Sequence, residues 1–202
     1  NTVNAEIDQK PWGIAPAISE QIYTLEDALL FAGMQMVILR NADVIKIACQ
    51  SLLTNISACI MTEKSGGYWL QTIYYPFHYF ATYAKGTVLK TASTGPCYSC
   101  AEFDEVPYVD SLVVWNEEDQ ELVIFAVNRS EEELQKAEVD LQDFEIQHVI
   151  ESICMTAENK KMTNMEQHDA VIPKKEKNVE IETGRCQITL QPLSFNMVRL
   201  AV

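Results

Sequence analysis

Gly66-Gly67-Tyr68-Trp69-Leu70-Gln71-Thr72-Ile73-Tyr74-Tyr75-Pro76-Phe77 follows one apolar, β-branched segment and opens another. Its paired glycines permit a tight, exposed loop. Aromatics then stand beside a single amide side chain, Gln71. Aromatic faces stack on sugar rings, and a carboxamide both donates to and accepts from hydroxyls. The combination suits a polyhydroxylated ligand. On composition alone, a buried aromatic cluster at a helix start is the simpler reading.

The flanks give this run its setting. From Thr72 to about Ala84 the pattern is helical, and Pro76 is tolerated near a first turn. Upstream, residues 51–71 are a long connection of mixed character. Residues 44–50 alternate weakly and are β-branched, which predicts a short buried strand. Between Ala17 and Arg40, Ile18, Ile22, Leu25, Leu29, Met34 and Ile38 recur mostly at three-to-four spacing, which predicts a helix. Thr24 followed by Asp27 offers a local cap, although the apolar pattern allows one continuous element. Residues 1–16, punctuated by Pro11, Gly13 and Pro16, read as a loop. This is the order of α/β repeats, but one strand with two helices cannot close a sheet.

After Gly86 the texture changes. Val113–Trp115, Glu121–Val127, Ala137–Leu141, His148–Ile153, Asn178–Glu182, Cys186–Leu190 and Phe195–Leu200 read as short strands, with Asn116 to Gln120 a polar hairpin turn. Such strands argue for an antiparallel sandwich. Thr156 to Lys177, rich in Lys, Asn and Glu, reads as an exposed loop. The boundary falls near 86–92.

A net charge of −14 over 202 residues disfavours nucleic acid and anionic membrane surfaces as partners. The charge is uneven: −1 over residues 1–90 and −13 over 91–202, as expected of a solvated acidic second domain. No apolar run approaches the roughly 20 residues of a membrane span. Asn1 to Glu6 lacks the basic start and apolar stretch of a signal peptide, so a cytoplasmic location is expected. Cys49 and Cys59 sit in apolar runs and read as buried thiols. Cys97-Tyr98-Ser99-Cys100 has no second pair or His cluster to complete a zinc site. His78, His148 and His168 are scattered, without metal-ligand spacing.

Together with Ile22 to Leu29, Asn41 to Cys49 and Ile60-Met61-Thr62, the opening run closely resembles the α-L-arabinofuranosidases of glycoside hydrolase family 51. The resemblance continues through Val106 to Asp110, Val114-Trp115-Asn116 and Phe125 to Arg129, and ends in Leu193 to Leu200. It departs at Val44, where the family often has Arg, and at Cys59, where it has Pro.

The resemblance implies a mixed fold. Residues 1–88 would be the C-terminal portion of a (β/α)8 catalytic barrel, and residues 89–202 an antiparallel, jelly-roll-like β-sandwich. It implies that Gln71 contacts the arabinose bound at the cleavage site, with Trp69 lining the same pocket. Retaining glycosidases use two carboxyl groups roughly 5 Å apart. By resemblance both glutamates come from earlier barrel strands, and the neighbours of Glu6 and Asp8 do not match the nucleophile's setting. No catalytic residue is therefore assigned in this chain, and no metal or other cofactor is implied. Glu20, Glu26 and Asp27 read as solvated surface. The implied partners are an arabinose-containing oligosaccharide, the missing N-terminal barrel portion and further copies in a homo-oligomer. The competing reading is a non-catalytic β-sandwich that binds carbohydrate or drives oligomerisation.

Overall fold

The computed structural model describes residues 20–141, 144–182 and 184–202. Helix α1, Leu25–Arg40, starts where Thr24 caps it. The Asp27 N–H donates to Thr24 Oγ1 (3.2 Å) and the Thr24 N–H donates to the Asp27 carboxylate (2.9 Å), a reciprocal capping box. The helix expected from Ala17 therefore begins at Leu25: residues 20–24 are not helical, and 17–19 lie outside the described residues. Leu25, Ala28, Leu29, Ala32 and Met36 form its buried stripe.

Residues 44–50 are not the expected strand. Val44 and Ile47 are 76% and 83% exposed. A β-branched run becomes a buried strand only when neighbours take up its backbone hydrogen bonds, and no described strand lies beside it. The next segment holds a small antiparallel hairpin, β1 (Ile60–Thr62) and β2 (Tyr68–Leu70), with Met61 opposite Trp69. The opening run is thus strand first, then helix. Helix α2, Tyr74–Tyr83, carries Pro76 in its first turn, where the missing N–H costs nothing.

Gly86 turns the chain into β3 (Thr87–Leu89), the edge of the main sheet. A two-stranded ribbon follows, β4 (Cys97–Tyr98) and β5 (Val106–Pro107). Then come β6 (Val109–Asn116), β7 (Glu121–Asn128), β8 (Gln135–Asp140), β9 (His148–Met155), β10 (Lys174–Lys175), β11 (Val179–Glu182), β12 (Arg185–Leu190) and β13 (Ser194–Ala201). The six-stranded sheet runs β10-β9-β13-β7-β6-β3 and the three-stranded sheet β11-β12-β8, with every pairing between these strands antiparallel.

The main sheet is buried on both faces at its centre, so β7 reads as an almost continuous apolar run, while β13 buries Ser194 and Asn196 among its apolar residues. Alternation sorts them into two cores. Val123, Phe125, Val127, Phe195 and Met197 face the helices, against Leu25, Leu29, Met36 and Phe80. Leu122, Ile124, Ala126, Val198 and Leu200 face the small sheet, against Cys186, Ile188 and Leu190. Half-buried Arg199 pairs with Glu121 on β7 and Glu151 on β9 and lies 4.5 Å over the Tyr83 ring, joining the end of α2 to the sheet. The 156–177 segment is the expected loop, mostly exposed or half-buried, but Asn164 and Val171 within it are fully buried and it ends in β10.

Candidate functional site

Gln71 lies between β2 and α2 and has no exposed surface. A buried carboxamide needs partners, and this one has three. Its Oε1 accepts from the Tyr23 N–H (2.8 Å), and its Nε2 donates to the carbonyls of Gln21 and Ala58 (2.9 Å each). Its own N–H donates to the Cys59 carbonyl (2.9 Å). Next to it, buried Thr72 donates from Oγ1 to the Thr24 carbonyl (2.7 Å). Gln71-Thr72 therefore ties the approach to α1, the approach to β1 and the start of α2 into one knot. Both amide hydrogens of Gln71 are used within it, and one Oε1 lone pair remains.

Trp69 is nearly buried and stacks on His168 at 5.5 Å with the rings 16° apart. The His168 Nε2 stands 3.5 Å from the Glu63 carboxylate. Trp69 and Gln71 are thus both buried among protein partners. The partner the sequence gave no cue for is Asn164, whose Nδ2 donates to the Leu70 carbonyl (3.0 Å). Composition marked its surroundings only as polar.

A cleft of about 990 Å³ opens elsewhere, between α1 and a wall formed by Tyr98, Tyr108 and residues 129–133. Leu30, Met34, Val37, Tyr98 and Tyr108 line it, and neither Trp69 nor Gln71 does. Leu30, Met34 and Val37 are each more than half exposed, a stripe on α1 facing away from the core. Asp110 bridges Arg40 and Arg129 at the cleft wall.

At the start of α1 Glu26 lies at the surface, as expected, whereas Asp27 is structural. Asp27 belongs to the cap rather than to open surface, and Glu26 pairs with Lys160 and Lys161. All six cysteines are free. Cys49, contrary to its expected burial, is exposed, as are Cys97 and Cys100. Cys59 is buried, and burial pushes its thiol up to about 11; the same cause pushes Cys186 to about 11 and Cys154 to about 12. Thiolate is the reactive form, so iodoacetamide at pH 8 should add quickly to three thiols in the native chain and reach the others only on unfolding. Intact mass against time tests this, and a fourth adduct forming at the rate of the first three would contradict it. No cluster of three or more His, Cys, Asp or Glu that could hold a metal occurs among the described residues.

A two-sheet antiparallel sandwich with a helical flank is an arrangement this chain shares with part of solved glycoside hydrolases. The chain belongs to the α-L-arabinofuranosidase C-terminal domain family, whose match covers residues 1–194. It is 42% identical over 190 residues to an intracellular exo-α-(1→5)-L-arabinofuranosidase of Halalkalibacterium halodurans, covering 94% of this chain and 38% of that protein. It is 39% identical over 197 residues to an enzyme of the same description from Bacillus subtilis, covering 96% of this chain and 39% of the relative. Among solved structures, a family 51 α-L-arabinofuranosidase from Bifidobacterium longum superposes with a TM-score of 0.86 at 29% identity, over 95% of this chain and 38% of that one. The chain thus spans about two fifths of the length of these relatives.

Proposed function

We propose that the whole protein is a retaining α-L-arabinofuranosidase that removes terminal α-L-arabinofuranosyl groups from arabinan- or arabinoxylan-type glycans in the cytoplasm. This chain is its C-terminal portion. The observation that carries the proposal is the match to named arabinofuranosidases at 42% and 39% identity over nearly the whole chain. In this reading residues 1–88 complete a (β/α)8 barrel and residues 89–202 form the sandwich beside it. Loops that follow barrel strands build the active site, which is where the segment after 44–50 would stand. The bare apolar side chains of Val44, Ile47, Leu52 and Leu53 suit a strand and loop that pair with upstream barrel elements. The exposed stripe of α1 suits packing against a neighbouring barrel helix.

Gln71 and Trp69 would contribute the sugar contact. Gln71 would turn its remaining lone pair, or an amide hydrogen released from Gln21, to a hydroxyl of the bound arabinose. The two catalytic glutamates lie upstream. A non-catalytic binding module is not favoured. Such a module presents a row of exposed aromatics, whereas Phe125 is buried, and Trp115 and Phe144 pack on each other (4.9 Å) against the inter-sheet core.

The test is hydrolysis of an aryl α-L-arabinofuranoside by the full-length gene product and by the 202-residue chain. We expect turnover by the first and none by the second. An inactive full-length product would end the hydrolase reading, and turnover by the short chain would end the assignment of both glutamates upstream.

A further inference from the structure

We propose that residues 156–171 of the sandwich are a strap that positions Gln71 and Trp69, with Asn164 as its anchor. The structural half stands alone; its consequence for catalysis rests on the proposed function above.

The strap leaves β9 after Met155 and returns at β10, and both strands are hydrogen-bonded into the main sheet. Its ends are therefore fixed to the sandwich. In between it grips the helical part at two places. At the first, the Lys160 and Met162 carbonyls accept from the N–H groups of Glu26 and Leu25 (2.9 Å each). The opening N–H groups of a helix have no partners within it, so the strap completes the start of α1. An antiparallel bridge between Thr24 and Thr163 continues this contact. Lys161 closes the outer side on Glu26.

At the second place, Asn164 reaches the end of β2. Its Nδ2 donates to the Leu70 carbonyl (3.0 Å) and to the Val171 carbonyl (3.1 Å), while its Oδ1 accepts from the Val171 N–H (2.8 Å). Asn164 is fully buried and so are its two bonds to Val171, so removing the side chain leaves buried Val171 backbone groups without their partner. Four residues further on, His168 covers the face of Trp69.

These two places flank the Gln71 knot. Leu70 directly precedes Gln71. Thr24 directly follows Tyr23, whose N–H donates to Gln71 Oε1, and Thr24 also accepts from Thr72. The strap also meets the helical core with apolar side chains, Val171 fully buried and Met162 and Ala170 packed beside it, but covering is not all it does. It holds the backbone on both sides of one carboxamide and references it to the sheet. The sandwich then contributes to sugar binding through position, without touching the sugar, and Asn164 is a positioning residue.

The first arm of the test uses the 202-residue chain and amide hydrogen exchange. Asn164→Ala should speed exchange of the Tyr23 and Gln71 N–H groups at least about tenfold, leaving Val123 and Phe125 in β7 unchanged. Should that variant fail to fold, Asn164→Asp keeps the acceptor for Val171 and removes the donors to Leu70 and Val171. Unchanged exchange at Tyr23 and Gln71 overturns the strap. The second arm is a double-mutant cycle in the full-length protein. With Gln71 present, Asn164→Ala should lower kcat/KM about 10–100-fold; in a Gln71→Ala background the further loss should be under about twofold. Equal losses in both backgrounds overturn the positioning role. An inactive wild-type protein would remove the proposed function instead, and the exchange arm would still decide whether the strap holds Gln71.

Discussion

Phe125→Ala lowers the stability of the chain by about 3–5 kcal/mol, the range for deleting a fully buried aromatic from a packed core. Phe125 occupies the middle of β7, which has β6 and β13 as its two neighbours in the main sheet. It lies opposite Leu112 on β6 and Met197 on β13 and has no exposed surface. Its ring stacks on Phe80 of α2 at 4.3 Å, and Phe80 in turn meets Phe195 at 5.8 Å. The side chain thus joins the sheet to the helical flank as well as filling space. Truncation leaves a cavity whose walls are backbone-paired strands on two sides, so collapse around it is restricted. A chain of this size should lose roughly 8–15 °C of melting temperature. Phe125→Leu, which keeps most of the volume, should cost less than half as much. Urea midpoints at unchanged slope would measure both. A Phe125→Ala cost below about 1 kcal/mol would mean that the helices are not fastened to the sheet through this ring.

The sandwich was legible because its strands carry their own signals. β7 is a run of Leu, Val, Ile and Phe, β6 and β13 hold shorter apolar stretches, and Asn116 to Gln120 names the turn between β6 and β7. What those runs could not reveal is burial on both faces, since a two-sided strand loses the alternation that tells inside from outside. The failures share one cause, the need for a partner distant in sequence. The 44–50 run has strand composition and no described neighbour, so it forms no strand and stays largely exposed. Tyr68-Trp69-Leu70 has strand composition too, but pairs only because Ile60-Met61-Thr62 folds back on it. Gln71 stood out as one amide among apolar residues, and its burial follows from that. Its bonds to Gln21, Tyr23 and Ala58, and the bond from Asn164 to Leu70 across 94 positions, depend on tertiary geometry that no local pattern encodes.

Gly86→Ala is the backbone counterpart, with an expected cost of about 3–5 kcal/mol from two terms that add. The first is conformational. Gly86 has φ +114°, where an L side chain is strained. The second is steric. A Cβ built there would stand 2.1 Å from the Trp115 carbonyl oxygen and 3.0 Å from the Asn116 Cα. Both are backbone atoms of a paired strand and cannot swing aside. The close approach has a purpose: the chain leaves α2 and must enter the edge of the main sheet at once, with Thr87 opposite Trp115. Any side chain at 86 pushes β3 off that edge and loosens the seam between the helical flank and the sandwich. Gly66, in the β1–β2 hairpin, separates the two terms. It has φ +93° but nothing within 4 Å of a built Cβ, so Gly66→Ala should cost only the strain, about 1–2 kcal/mol. Denaturation of the two variants side by side decides the matter. Equal losses would show that contact with the Trp115 carbonyl plays no part, whereas a clear excess at 86 identifies that contact as what keeps a glycine at the junction.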